Sequence, residues 1–491
     1  MMLATGVSKG GSFVAQIFLG WLLLKEDFGI YAIAISIASL VQVLKDGGTR
    51  KILMQRGAKR FERLCPAVFW MSLGFNTAVA LILVGLSYPA SLLYTEPRLA
   101  IMLQILALAS LLGTPDSMYR AWLSVRLQFR HLAQNQAIQG TVQSGSMIAL
   151  AWAGAGATSF VWPIVIQVLV GWFLGYRICG ALPIRGRIRW RIWPALLSAS
   201  LWLFLGSSAM IMLKQGPYMI LGIFHDPVVI GVYFFAFQLL IQINQLVALN
   251  FQSVLLPALS SVQKNIKRHT QAVLRTSEAL VVASTIMAFS VGVGIHDVIR
   301  LIWDEKWVDA IPAIQWMALF FPFRMFQSVF EPALLSRGLY RVWAWLMTLQ
   351  AVIVFIATCF ASIFASTASG FALAIGLGFM CSMLAATWIG MRSLQVPLTA
   401  LLQRTIPPYA VGILIYGGVL LARHRLNLNG PAKRLELLAQ CVIACTAFVL
   451  LYIMFMRAML PGSLRSLCDA LPGRVGRPAR QALLLRDPEA E

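Results

Sequence analysis

Charge is what this chain has least of. Of its 491 residues only 12% are Asp, Glu, Lys or Arg, while 59% are hydrophobic and the mean hydropathy is +0.77, a balance outside the range of water-soluble domains. Acidic residues are scarcest, 18 against 40 basic ones, for a formal charge of +22. In a soluble protein that excess would point to nucleic acid. In a membrane protein the first explanation of surplus Lys and Arg is orientation across the bilayer, so no nucleic-acid partner is expected. Strict alternation is missing from the apolar runs, which are about 20 residues long. That excludes a β-barrel and leaves a helical bundle, because lipid offers the backbone no hydrogen bonds. The seven cysteines lack metal-ligand spacing: most lie inside apolar runs, and Cys441 and Cys445 are one helical turn apart, so they read as small packing residues and no metal is expected. The start of the chain lacks the basic opening and small-residue end of a cleaved signal, so the first helix is expected to be retained.

What is there is a series of fourteen apolar runs: 4–24, 28–46, 66–87, 99–119, 134–153, 158–178, 195–222, 228–256, 277–299, 311–335, 341–364, 368–390, 405–422 and 436–457. The joins between them are short. With the N-terminus inside, the joins after even-numbered runs and the tail carry 29 Lys and Arg, counting Lys45 to Arg63 and Arg120, against 8 on the opposite side. This asymmetry predicts an all-α polytopic membrane protein of about fourteen transmembrane helices, with both termini cytoplasmic. The exception is Arg423 to Arg434, where four basic residues fall on the outer side. Asp46 and Glu278, at helix ends among basic residues, are expected to be solvated. Trp303, Trp307 and Trp343, also at helix ends, are expected in an interfacial belt.

The chain repeats itself. "FGIYAIAIS" at the start of the second run is echoed by "IGVYFFAFQ" at the start of the eighth, aligning Gly29 with Gly231 and Tyr31 with Tyr233. The fourth and tenth runs align at an offset of 211, pairing Gln104 with Gln315, Ser117 with Ser328, Leu123 with Leu334 and Arg126 with Arg337. Paired runs have the same parity, so the repeat is parallel: two pseudo-symmetric six-helix bundles facing a cleft, with two extra C-terminal helices. The expected division is an N-terminal lobe over 1–190, a C-terminal lobe over 191–404, the extra pair over 405–459 and a basic cytoplasmic tail over 460–491. The run "RGRIRWR" (185–191) is a linker and topology signal, or a site for anionic lipid head groups.

In order and spacing, "EDFGIYAIAISIASLVQVLKDGG" (26–48), "RLQFRHLAQNQ" (126–136), "ALAWAGAGATSFVWPIV" (149–165), "VIGVYFFAFQL" (229–239), "LLPALSSVQ" (255–263) and "DEKWVDAIPAIQWMAL" (304–319) resemble the bacterial polysaccharide and O-antigen flippases, over roughly residues 5 to 400. These belong to the multidrug/oligosaccharidyl-lipid/polysaccharide exporter superfamily. The resemblance implies alternating access and carriage of a lipid-diphosphate-linked oligosaccharide from the cytoplasmic to the periplasmic leaflet of the inner membrane, for exopolysaccharide or lipopolysaccharide synthesis. It also implies polysaccharide polymerase and chain-length machinery as partners, beside membrane lipids. Many relatives carry an acidic residue partway along the seventh run, where this chain has "LKQGPYMILG"; the coupling ion, sodium or proton, is left open, and no other cofactor is expected.

Such a cargo asks only that its anionic head be shielded from hydrocarbon, so cations inside the spans are the first candidates. Arg324, mid-span in the tenth run, is read as a diphosphate ligand, or as a bundle-locking partner of a carboxylate. Lys214 is read as a second ligand, or as a snorkelling lysine. Lys9 is read as a head-group contact at the cytoplasmic entrance, or as another snorkelling lysine. Asp116 and Arg120 are four apart on one helical face and pair locally, or else Arg120 reaches its repeat counterpart Glu331 as a gate across the lobes. Gly216 and Pro217 form the clearest helix break and a candidate hinge, with Pro115 and Pro322 as lesser ones. A peptidoglycan-precursor or multidrug exporter remains the alternative. An enzyme such as a glycosyltransferase or polymerase is disfavoured, because the joins hold no clustered carboxylates or histidines.

Overall fold

A computed structural model describes residues 2–46, 58–182, 193–242, 259, 265–325, 327–426 and 433–463. Among them there is no strand. The helices are α1 (Met2–Leu22), α2 (Lys25–Asp46), α3 (Ala58–Leu93), α4 (Pro97–Val125), α5 (Phe129–Trp152), α6 (Trp162–Cys179), α7 (Trp193–Phe224) and α8 (Pro227–Gln242). They continue as α9 (Ile266–Trp303), α10 (Ala310–Met325), α11 (Gln327–Ser336), α12 (Tyr340–Phe364), α13 (Ala368–Leu394), α14 (Leu398–Arg425) and α15 (Arg434–Met459). Where the residues are described, each of the fourteen apolar runs falls on these helices, the tenth on α10 and α11 together, while 243–256 of the eighth run lie outside the described residues. Nine described stretches are long and apolar enough to cross a membrane. The linker 185–191 and the tail from 464 lie outside the described residues.

Contacts divide the chain into two compact units, Met1–Phe234 and Phe235–Glu491. In unit 1, α3 packs on α4, α4 on α6, and α5 on α6. In unit 2, α9 packs on α10, α10 on α13, and α12 on α13, which are the same three pairings shifted by one repeat. The equivalence extends to how helices end. In unit 1 the Tyr119 hydroxyl on α4 donates to Gly180 O after α6 at 3.1 Å; in unit 2 Arg337, just after α11, donates to Leu394 O at the end of α13 at 2.9 Å. Both bonds satisfy a terminal helix carbonyl that has no intrahelical partner.

The acidic residues that open α2 are structural. Asp27 accepts a hydrogen bond from the Leu24 backbone N–H at 3.0 Å, and Glu26 and Asp27 both pair with Arg98, which suits the positive end of the helix dipole. One turn later α2 meets α8 backbone to backbone. A side chain at Gly29 would overlap the carbonyl oxygen of Pro227, and one at Gly231 would overlap that of Lys25. Each glycine rests on the carbonyl four residues before the other, so the repeated Gly-Ile-Tyr and Gly-Val-Tyr mark a reciprocal crossing that only glycine permits.

Unit 2 carries the C-terminal pair on a polar seam. Tyr409, Tyr416 and Arg423 recur every seven residues along α14, so they share a face. The two tyrosines donate to Leu319 O and Gln315 O of α10 at 2.8 and 3.2 Å, and Arg423 clasps Asp297 of α9 through two bonds of 2.6 and 2.7 Å. On α15 the Cys441 and Cys445 sulfurs pack against Gly294, and Tyr452 donates to Pro408 O at 3.2 Å. Because lipid tails are as apolar as Leu, such bonds and small-residue contacts, not the hydrophobic effect, hold helices together sideways.

Three expectations change. Arg423 is not a loop cation: it lies on α14, is 4% exposed and is neutralised by Asp297, which is fully buried. Glu278 is not solvated either, because α9 extends through it as far as Ile266, leaving it 6% exposed, beside Arg404 at 3.8 Å and accepting from Ser463 at 2.6 Å. Trp303, Trp307 and Trp343 are buried and do not form an exposed belt; Trp307, in the turn after α9, stacks on Phe235 at 3.8 Å, and Trp303 meets the same ring edge-on.

Candidate functional site

Four helices of unit 1 line a half-open cavity of about 400 Å³. Ser39, Gln42 and Lys45 enter from α2, Gly113, Asp116, Ser117 and Arg120 from α4, Val168 from α6, and Ile211, Lys214 and Gln215 from α7. The polar residues recur at three- and four-residue steps within otherwise apolar helices, which puts each set on one face. Three cations and one carboxylate therefore line one space, with Asp116 buried, Lys45 and Arg120 half-buried and Lys214 exposed. Ser39 lies 14 residues into α2, about 21 Å along its axis at 1.5 Å per residue, so the cavity is well below the Gly29 crossing.

Local sequence sets the placement of each charge. Gly113 has no side chain, and a Cβ there would sit 3.0 Å from Lys45 Nζ, so the gap lets the ammonium reach α4. Arg120 pairs with Asp116 one turn earlier on α4, the local arrangement of the two considered. The same Arg120 nitrogen donates to Gln139 Oε1 of α5 at 2.8 Å, and Gln139 Nε2 donates to Asp116 Oδ1 at 3.1 Å and to Asn135 Oδ1 at 2.9 Å. Gly171 of α6 closes over this network, since a Cβ there would overlap both Asp116 and Gln139. Asp116 is 3% exposed, while the Arg120 side chain keeps 30% of its surface.

Of the residues expected from sequence, the structure brings Lys214, Asp116 and Arg120 together. Lys45 and Arg120, counted with the joins in the topology argument, lie within α2 and α4 and line the cavity. Ser39, Gln42, Lys45 and Gln215 were not expected; the signal that finds them is a polar stripe at helical spacing inside an apolar run. Arg324 stands in unit 2 on α10, its guanidinium 4.8 Å from the ring centres of both Phe237 and Phe379. Glu331 is half-buried on α11. Lys9 lies on α1, with its side chain outside the described residues. α7 stays helical through Gly216 and Pro217, so the expected break is not an unwound turn.

Unit 2 holds a second cavity, about 370 Å³, between α9, α10, α13 and α14. Its walls include Phe323, Met383, Leu401, Leu402, Ile406 and Ile413, with Thr387, Thr405 and Tyr409 as the polar side chains. Among the described residues no three His, Cys, Asp or Glu side chains converge as metal ligands.

A family model described as "Polysaccharide biosynthesis protein" matches residues 18–312. The chain belongs to that family. It is 23% identical over 477 residues to the succinoglycan biosynthesis transport protein ExoT of Rhizobium meliloti (strain 1021), covering 96% of this chain and 94% of that one. Its fold is that of the lipid II flippase MurJ solved in an inward closed conformation, with a TM-score of 0.66, 14% identity, and coverage of 93% of this chain and 99% of that one. It is also that of an inward-facing multidrug resistance MATE family transporter of the MOP superfamily, with a TM-score of 0.63, 13% identity, and coverage of 80% and 95%. The family and the relative, a transport protein matched over nearly its whole length, set the chain among the transporters of polysaccharide biosynthesis and not among its enzymes, and the solved structures share its multi-pass membrane fold.

Proposed function

We propose that this family member flips a polyprenyl-diphosphate-linked oligosaccharide repeat unit from the cytoplasmic to the periplasmic leaflet of the inner membrane by alternating access. The observation that carries the reading is the unit 1 cavity. A diphosphate is a compact anion that needs cations and hydrogen-bond donors once water is removed, and Lys45, Arg120 and Lys214, with Ser39, Gln42 and Gln215 beside them, supply both. The sugar head travels with it, shielded by the bundle, while the prenyl chain never has to leave hydrocarbon. The apolar unit 2 cavity suits such a chain, since its walls offer contact without any charge to bury. No bond is made or broken, so no nucleophile or acid/base pair is needed.

The excess of Lys and Arg on the joins after even-numbered helices and in the tail supports an orientation with both termini in the cytoplasm. Burial of Arg423 against Asp297 removes the strongest of the four outer exceptions, and α14, at 28 residues or about 42 Å, is long enough to cross. Polymerase and chain-length machinery would take the flipped unit next.

The test is deletion of the gene followed by analysis of lipid-linked sugars. Complete repeat units should accumulate on the cytoplasmic leaflet. Incomplete units would point to a glycosyltransferase and end the reading, and accumulation of peptidoglycan precursor would move the cargo to that lipid.

A further inference from the structure

A cavity that binds a diphosphate gains from cations, yet one of the three here is already held by a carboxylate. Asp116 is almost fully buried and clamped on each oxygen: Oδ2 accepts from Arg120 Nη2, and Oδ1 accepts from Gln139 Nε2 at 3.1 Å. Gln139 also accepts from that Arg120 nitrogen at 2.8 Å, so the three side chains form a closed ring under the backbone of α6 at Gly171. Satisfaction is incomplete. Arg120 Nε and Asn135 Nδ2 are buried with no acceptor, so the guanidinium has a donor left over while it holds Asp116. Arg120 alone of the ring keeps substantial exposure, and it keeps it toward the cavity that Lys45 and Lys214 share.

We propose that Asp116 is a resident counter-anion. It occupies Arg120 while the cavity holds no anion, yields the guanidinium to the diphosphate of the cargo, and reclaims it as the cargo leaves. Asp116 thereby sets how readily the anion is released, while Lys45 and Lys214 set whether it is recognised. This inference rests on the reading of the cavity as a diphosphate site. Its physical basis is competition: two anions cannot both take the same edge of one guanidinium, and a site that only attracted would hold its cargo too long to turn over. Gln139 is a positioning residue, keeping the carboxylate within reach so that recapture is fast.

The experiment measures binding of inorganic diphosphate, and of farnesyl diphosphate as a lipid-borne form, to the purified full chain in nanodiscs. Asp116→Asn should bind both probes about tenfold more tightly, the worth of one charge-assisted hydrogen bond, while export in cells falls. In an Arg120→Gln background the same change should gain less than about threefold, because the contested group is gone. Gln139→Glu, of the same size, sets a second carboxylate against Arg120 and should weaken binding about tenfold. Affinity of Asp116→Asn equal to or below the parent overturns the proposal and leaves Asp116 a positioning residue. A gain seen with inorganic diphosphate alone also overturns it, because the site would then serve a free anion. Should Asp116→Asn fail to fold, Gln139→Glu decides, and unchanged affinity there overturns the proposal. Failure of the parent to bind either probe has a different signature: it removes the diphosphate reading itself, and the proposal with it.

Discussion

Unit 1 surrounds about 400 Å³ with three cations, a carboxylate and several amides and hydroxyls; unit 2 surrounds about 370 Å³ with aliphatic and aromatic walls. Both cavities use the fourth and sixth helices of the repeat, α4 and α6 in one, α10 and α13 in the other. They diverge through the helices that complete them. In unit 1 these are α2 and α7, with polar stripes; in unit 2 they are α9 and α14, and α14 has no counterpart in the repeat. A duplicated scaffold has thus been given two chemistries by changing the two helices that complete it. The same divergence shows at a single aligned position. At the offset of 211, Gly113 of α4 corresponds to Arg324 of α10. Unit 1 has a gap there that admits the ammonium of Lys45, while unit 2 has a guanidinium held between two rings.

The two buried arginine–carboxylate pairs differ in the same sense. Asp297 and Arg423 join two helices with side chains 0% and 5% exposed, whereas Asp116 and Arg120 sit on one helix and open onto a cavity. The sharpest way to break the comparison is to strip each pair of its cation. Arg423→Met leaves a buried carboxylate unpaired and should cost about 3–5 kcal/mol of stability, with most of it recovered in Asp297→Leu/Arg423→Met, as read by unfolding in detergent. If Arg120→Met costs as much, the two pairs are alike and the distinction fails. Next in size, Lys45→Glu/Lys214→Glu should lower export about a hundredfold, two charge-assisted contacts at about tenfold each, with Tm and membrane level unchanged. Arg324→Ala should abolish most export if Arg324 is itself a diphosphate ligand; Arg324→Lys, which keeps charge but loses the planar stack, separates attraction from packing. Smallest, Leu402→Asn in the apolar cavity should reduce transport of the lipid-borne cargo several-fold, up to about tenfold for one unsatisfied polar group, while inorganic diphosphate binding stays at the parent value. Equal effects on both readouts would erase the division of labour between the cavities.

Much of this was legible in the sequence because lipid imposes it. Runs of about 20 apolar residues have to become helices, and the parallel repeat showed in Gly29 and Gly231, and in Ser117 and Ser328. Lys214, Asp116 and Arg120 were found because a charge inside a span stands out. Lys45 was missed because it closes a helix, where a lysine ordinarily signals topology, and nothing local reveals that Gly113 leaves room for it. Glu278 and Arg423 misled for the same reason: hydropathy ends a span where charge begins, whereas α9 and α14 continue past that point and bury those charges against each other. The tryptophans show the limit of composition, since Trp307 at a helix end could stack on Phe235 or face head groups, and only packing decides.

The crossing of α2 and α8 also bears on how the protein is made. Gly29 and Gly231 are 202 residues apart, and the carbonyls they rest on belong to Pro227 and Lys25. When α2 leaves the ribosome the strip of backbone meant for α8 has nothing to touch, and it stays so until six more helices have been inserted. The first lobe is therefore a provisional assembly during synthesis, and its α2 end is completed only by the opening turn of the second repeat. A ribosome stalled before residue 227 would hold a chain in which Gly29 has no Pro227 carbonyl to rest on.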